Sequence, residues 1–208
     1  LKTIMIPNGV ESIGDGAFKD CGCPEEKYHA GVIMHDCKTK KDFNLLFNDN
    51  NNNIKECIDN DTCQDATHIR IPDGVSVIKN KAFFGNNNLK SVVIPSSVKR
   101  IENLAFTNCK NLESVIINNG VESIGEAVFA VCESLTSIEI PNSVTSIGKI
   151  AFSQCSRLES AILPSGITSI ENHMFFKCRS LKSVQIPEGV SRIGVSAFAG
   201  CSRLTSAM

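Results

Sequence analysis

Five residues able to bind a metal or exchange disulfides lie within nineteen positions near the start of this chain: Cys21, Cys23, His29, His35 and Cys37. Thiolate and imidazole are the usual ligands of structural zinc, and paired thiols close disulfides in oxidising compartments. Which of the five are free for either chemistry depends on the elements that carry them.

Those elements repeat. Leu89, Leu112, Leu135, Leu158, Leu181 and Leu204 are spaced by 23 residues, and units also open at Leu1 and Ala66. Repeats thus start at 1, 66, 89, 112, 135, 158 and 181, with a partial unit from 204 and an insert of 42 residues between the first two, at roughly 23 to 65. The position of Ile13, Ile78, Ile101, Ile124, Ile147, Ile170 and Ile193 is isoleucine in every full unit. That of Phe18, Phe83, Phe106, Phe129, Phe152, Phe175 and Phe198 is always phenylalanine. A residue fixed at one phase of a repeat is stacked on its own copies, so these columns predict continuous internal ladders.

Within a unit, the stretch "LTSIEI" alternates apolar and polar residues, the period of a half-buried strand. Proline follows (Pro7, Pro72, Pro95, Pro141, Pro164, Pro187), except at Asn118, and stops parallel pairing because it has no N–H to give. A turn and a short apolar pair come next. In "AFSQC", Ala151, Phe152 and Cys155 are then expected on one face of a single helical turn. No unit is long enough to bury a core alone, so the chain is expected to form one solenoid over 1–208.

The form L-x-x-[IV]-x-[IL]-P-x-x-V-x-x-I-x-x-x-A-F-x-x-C-x-x closely resembles the BspA-type leucine-rich repeat, over everything except the insert. The resemblance implies a right-handed leucine-rich-repeat solenoid of 23-residue coils. A parallel β-sheet would lie on one face and short strands and helical turns on the other. It also implies a secreted or cell-surface setting, in a family that includes many proposed adhesins. Solenoids need polar caps, and neither "LKTIMIP" nor "SRLTSAM" reads as one. The expectation is therefore a fragment of a longer protein, with repeat ends open to self-association.

The phase of the repeat sorts the ten cysteines. Cys21, Cys109, Cys132, Cys155, Cys178 and Cys201 share one position, with Asn86 there in the second unit. Free cysteine is among the most buried residue types, and asparagine can satisfy main-chain groups but cannot form a disulfide. These six therefore read as a buried ladder. Cys23, Cys37, Cys57 and Cys63 remain, all in the insert, and four cysteines allow three pairings. An insert this polar, with "NDNNNN" at its middle, buries too little to fold alone. Two disulfides would supply the constraint; the short loop from Cys57 to Cys63 leaves Cys23 to pair with Cys37. The alternative is zinc on Cys23, His29, His35 and Cys37, but the tight pair usual in zinc sites disappears once Cys21 joins the ladder.

No catalytic, cofactor or further metal motif stands in the sequence: G-x-G-x-x-G, a P-loop, H-E-x-x-H, G-x-S-x-G and C-x-x-C are all lacking. The reading is of a protein that is not an enzyme and needs no cofactor. His68 falls on a strand and His173 in a turn, so the histidines do not share a site. A net charge of −1 gives no electrostatic case for nucleic acid, and no apolar run is long enough to enter a bilayer.

Binding is then expected on the exposed sheet face. In each strand the first, fourth and sixth residues point inward. The fifth position presents Met5, Arg70, Val93, Ile116, Glu139, Ile162 and Gln185, and the third a nearly continuous hydroxyl column with His68. Seven strands spaced by roughly 4.8 Å make a face some 30 to 35 Å long, which suits a protein ligand such as a host surface or matrix protein. A stalk or spacer with no specific ligand is the other reading, because β-branched residues here also favour strands for their own sake.

Overall fold

A computed structural model describes residues 66–207 together with the strand Ile54–Glu56. Six full coils stack over the units that open at 66, 89, 112, 135, 158 and 181. Strands of two kinds alternate along them, numbered in chain order. The first kind comprises β1 (Ile54–Glu56), β2 (His68–Arg70), β4 (Ser91–Ile94), β6 (Ser114–Ile117), β8 (Ser137–Glu139), β10 (Ser160–Ile162), β12 (Ser183–Gln185) and β14 (Ser206–Ala207). The second kind has two residues each: β3 (Val77–Ile78), β5 (Arg100–Ile101), β7 (Ser123–Ile124), β9 (Ser146–Ile147), β11 (Ser169–Ile170) and β13 (Arg192–Ile193).

All pairing is parallel, and from β2 onward each residue faces its copy one repeat later, as in Ser91↔Ser114 and Ile101↔Ile124. The first face consists of the ladders β1-β2-β4-β6 and β14-β12-β10-β8; the second consists of β3-β5-β7-β9 and β11-β13. The first face is interrupted where proline gives way to Asn118. Asn118 has an N–H, and donates it back to Ile94 O at 3.0 Å, lengthening the pairing of β4 with β6. The segment read as an inserted loop supplies β1, which pairs with β2 and extends the first face by one strand.

The core lies between the two faces and is made of the expected columns. Phe83, Phe106, Phe129, Phe152, Phe175 and Phe198 stack with ring centroids 5.0 to 5.8 Å apart and planes within 14° of parallel. Offset aromatic stacks of this spacing add about 0.5–1.5 kcal/mol per pair beyond area burial.

The turn that carries these rings is not helical. Two residues in this turn of each coil are left-handed: Lys81, Leu104, Ala127, Ile150, His173 and Ser196, two residues before the ladder phenylalanine, then Gly85, Asn108, Val131, Gln154, Lys177 and Gly200, two residues after it. Every second peptide is thereby flipped toward the next coil. Phe83 N–H donates to Ala105 O at 2.7 Å and Gly85 N–H to Thr107 O at 2.8 Å, while Phe84 N–H closes a local turn on Lys81 O. A lone helical turn would leave its terminal N–H and C=O groups without partners, whereas this winding hands them to the neighbouring coil. Ala151, Phe152 and Cys155 still share one buried face, as the apolar spacing predicts.

Candidate binding face

The first face positions the fifth-residue column by register. Arg70 lies opposite Val93, and Val93 opposite Ile116. Below the interruption, Glu139 lies opposite Ile162, and Ile162 opposite Gln185. Strand alternation turns the fourth residues (Ile69, Val92, Val115, Ile138, Ala161, Val184) into the core and the fifth outward. Ile116 is 54% exposed and Ile162 44%, while Arg70 and Val93 are half-buried. Met5 lies outside the described residues.

The column gains a strand that the repeat does not announce. Glu56 of β1 is the register partner of Arg70. No periodic signal finds it, because Ile54 lies opposite His68 at much less than one 23-residue period.

The columns beside it are polar and internally paired. His68 Nδ1 lies 2.7 Å from Ser91 Oγ, so the histidine closes the end of the serine column. Arg70 pairs with Asp73 at 3.2 Å. Lys182 Nζ donates to Glu159 Oε2 at 2.7 Å, and that hydrogen bond together with the lysine charge holds the Glu159 carboxyl below its ordinary value. The face is thus a stripe of isolated apolar side chains bordered by neutralised charge. A shallow depression of about 310 Å³ lies on the second face, bordered by Arg100, Glu102, Ser123 and Ser146.

Four thiols of the described column are enclosed in the core, Cys201 is half-buried, and Cys21 lies outside the described residues. Cys109, Cys132, Cys155 and Cys178 are fully buried and unbridged. Each donates to the phenylalanine carbonyl of the coil above: Cys109 to Phe83 O at 3.1 Å, Cys132 to Phe106 O at 3.3 Å, Cys155 to Phe129 O at 3.1 Å, Cys178 to Phe152 O at 3.1 Å. Burial pushes Cys109 and Cys155 up to about 12, and Cys132 and Cys178 in the same direction. At Asn86 the same place is filled by an amide whose Oδ1 accepts from Asn88 N–H and Leu89 N–H. Among the described residues, no three His, Cys, Asp or Glu side chains converge as metal ligands would. Cys23, Cys37, Cys57 and Cys63, with His29 and His35, lie outside the described residues.

The sequence pattern of the BspA type leucine rich repeat region matches in six copies, over residues 1–31 and 76–205. The chain belongs to the BspA-type leucine-rich repeat family. Solved leucine-rich repeat proteins are similar to this chain in fold. A leucine-rich repeat protein from Eubacterium ventriosum is 26% identical with a TM-score of 0.62, the match covering 66% of this chain and 37% of that one. The leucine-rich repeat protein of T. pallidum is 31% identical with a TM-score of 0.56, covering 74% of this chain and 83% of that one. The chain therefore spans little more than a third of the Eubacterium protein's length. Curated proteins give no match. In this chain the 23-residue coil accounts for the ladders described above.

Proposed function

We propose that this leucine-rich repeat chain is a single solenoid over 1–208 that acts without catalysis. It is exported or held at a cell surface, and binds a host surface or matrix protein through Met5, Arg70, Val93, Ile116, Glu139, Ile162 and Gln185. In that oxidising setting the insert is closed by disulfides among Cys23, Cys37, Cys57 and Cys63.

The observation that carries the reading is the outward exposure of Ile116 and Ile162 on a sheet face whose other outward columns are polar. Isolated branched side chains on a flat face, without tryptophan or tyrosine, give weak single contacts. Repetition of the face, or display of many copies, raises such contacts to useful avidity.

Beads coated with the 208-residue chain and applied to a layer of extracellular-matrix protein provide the test. Ile116→Asp and Ile162→Lys together are expected to reduce adhesion at least several-fold. Exposed substitutions of this kind change stability by only about 0.5 kcal/mol. Adhesion equal to that of the unaltered chain would remove the stripe as the binding face. If the unaltered chain does not adhere at all, the stalk reading takes its place.

A further inference from the structure

Charges in successive coils are paired across the coil spacing: Lys99 with Glu122, Lys110 with Glu133 and Lys149 with Glu126, at 3.4 to 3.7 Å. The corner that leads from each cysteine-column residue into the next first-face strand departs from this. In the upper coils its two outer positions hold Asn87 and Asn88, Lys110 and Asn111, then Glu133 and Ser134, and Lys110 and Glu133 cancel each other. In the three that follow they hold Ser156 and Arg157, Arg179 and Ser180, Ser202 and Arg203. All three arginines are exposed, and among the described residues no salt bridge or side-chain hydrogen bond occupies their guanidinium groups. The carboxylate at this corner, Glu159, is taken by Lys182 at 2.7 Å and feels Arg203 only at longer range.

The main chain holds this row. Ser180 N–H donates to Ser156 O at 3.2 Å, and Ser202 Oγ donates to Arg179 O at 3.2 Å, so the three corners stack in register. With coils about 4.8 Å apart, Arg157 and Arg203 stand about 10 Å from each other along the stack, with Arg179 between them. Lys177, exposed on the adjoining turn, adds a fourth cation. The row lies on the flank of the stack, not on its end: Arg157 and Arg179 have a described coil on either side and are exposed all the same. Further coils would lengthen such a row without covering it.

We propose that this row of guanidinium groups binds a linear sulfated polysaccharide lying along the solenoid axis. A guanidinium presents a planar fork of donors that matches two oxygens of one oxyanion, and it gives up water more readily than an ammonium does. A sulfate ester stays ionised throughout the physiological range. A single exposed ion pair contributes only about 0–1 kcal/mol, so the fitting ligand is one whose charges also recur along one direction and engage several donors at once. A single nucleic-acid strand would lack a ring on which to stack its bases. Phe176, the ring nearest Arg179 in the chain, has Lys177 Nζ 5.1 Å from its centroid and His173 against it at 5.5 Å. The net charge of −1 offers a duplex no attraction beyond the row itself. This is a second surface, with a second class of ligand, apart from the protein ligand of the first face.

Calorimetric titration of the 208-residue chain with heparin, at several salt concentrations, provides the test. Binding is expected to weaken with salt, with a slope of about −2 in log affinity against log salt for three contacts. The triple variant Arg157→Ser, Arg179→Ser, Arg203→Ser installs the residue that Ser134 and Ser156 already supply at these positions. It should lower the affinity about tenfold or more and leave far-UV circular dichroism unchanged, since all three side chains are exposed. Lys79→Ser, Lys99→Ser, Lys149→Ser removes the same charge elsewhere and should bind heparin as the unaltered chain does. Ile116→Asp with Ile162→Lys should do so too, which keeps this surface distinct from the first face. Five results would each overturn the proposal: no binding at about 100 μM, equal binding of fully desulfated heparin, equal binding of duplex DNA, full affinity in the arginine variant, or an equal loss in the lysine variant.

Discussion

A thiol that donates to a main-chain carbonyl inside a dry ladder keeps its proton far into the alkaline range. Cys109 and Cys155 carry an ordinary value of 9.0 when unfolded and about 12 when folded, the difference coming from burial. Below pH 9 both states are protonated and the stabilising difference is fully present. Between about pH 9 and 12 the unfolded thiols ionise while the folded ones do not, so stability falls as pH rises. Each thiol contributes a slope of about 1.4 kcal/mol per pH unit across that window. The double variant Cys109→Ala and Cys155→Ala is expected to be less stable than the unaltered chain at pH 7, through its two small cavities. Its urea midpoint should decline less steeply above pH 9, so that the two curves converge. Parallel curves would show that the thiols are not held neutral. The sequence made this ladder legible through Asn86, which occupies the same place and satisfies Asn88 N–H and Leu89 N–H where a thiol would reach the coil above.

At the scale of the element, the strands could be read and the turns could not. Alternation in "LTSIEI" and the fixed proline define strand, face and register from side chains alone, and β8 and β10 follow them. The second left-handed column leaves a partial trace in Gly85, Asn108 and Gly200, but the first leaves none. Lys81, Leu104, Ala127, Ile150, His173 and Ser196 are not residues that favour positive φ. Their conformation is imposed by the hydrogen bonds of each turn to the next coil, a tertiary effect that no local preference reports. The sequence responds most sharply to a backbone demand at Gly120, beside the interruption of the first face. Its φ is +135°, and a Cβ there would lie 2.0 Å from Ser96 O, a main-chain atom with no freedom to withdraw. Gly120→Ala is therefore expected to cost about 3 kcal/mol or more in urea unfolding, by combining forbidden dihedrals with a backbone clash. Gly85→Ala, whose Cβ would meet nothing closer than Asn108 Nδ2 at 3.9 Å, should cost less. Equal losses at the two positions would argue that the Ser96 contact is relieved by a shift of the turn.

For the whole molecule, stability is the sum of coils and the surfaces between them, because each coil touches only its neighbours. A column residue should then be worth more when it has a copy on both sides. Phe129 is fully buried and stacks on Phe106 at 5.4 Å and Phe152 at 5.8 Å. Phe198 is partly covered and stacks on Phe175 alone, at 5.4 Å. In the 208-residue chain, Phe129→Ala is expected to cost about 4 kcal/mol and Phe198→Ala about half of that, since a cavity at a partly exposed site can collapse or fill with water. Hydrogen exchange should separate the consequences as well. The central variant should lower protection in the coils on both sides of position 129, and the end variant only in the coil that opens at Leu181. The repeat makes this gradient foreseeable in kind, since identical residues at one phase must stack. It hides the strand β1, which pairs with β2 by main-chain register alone and which no period contains.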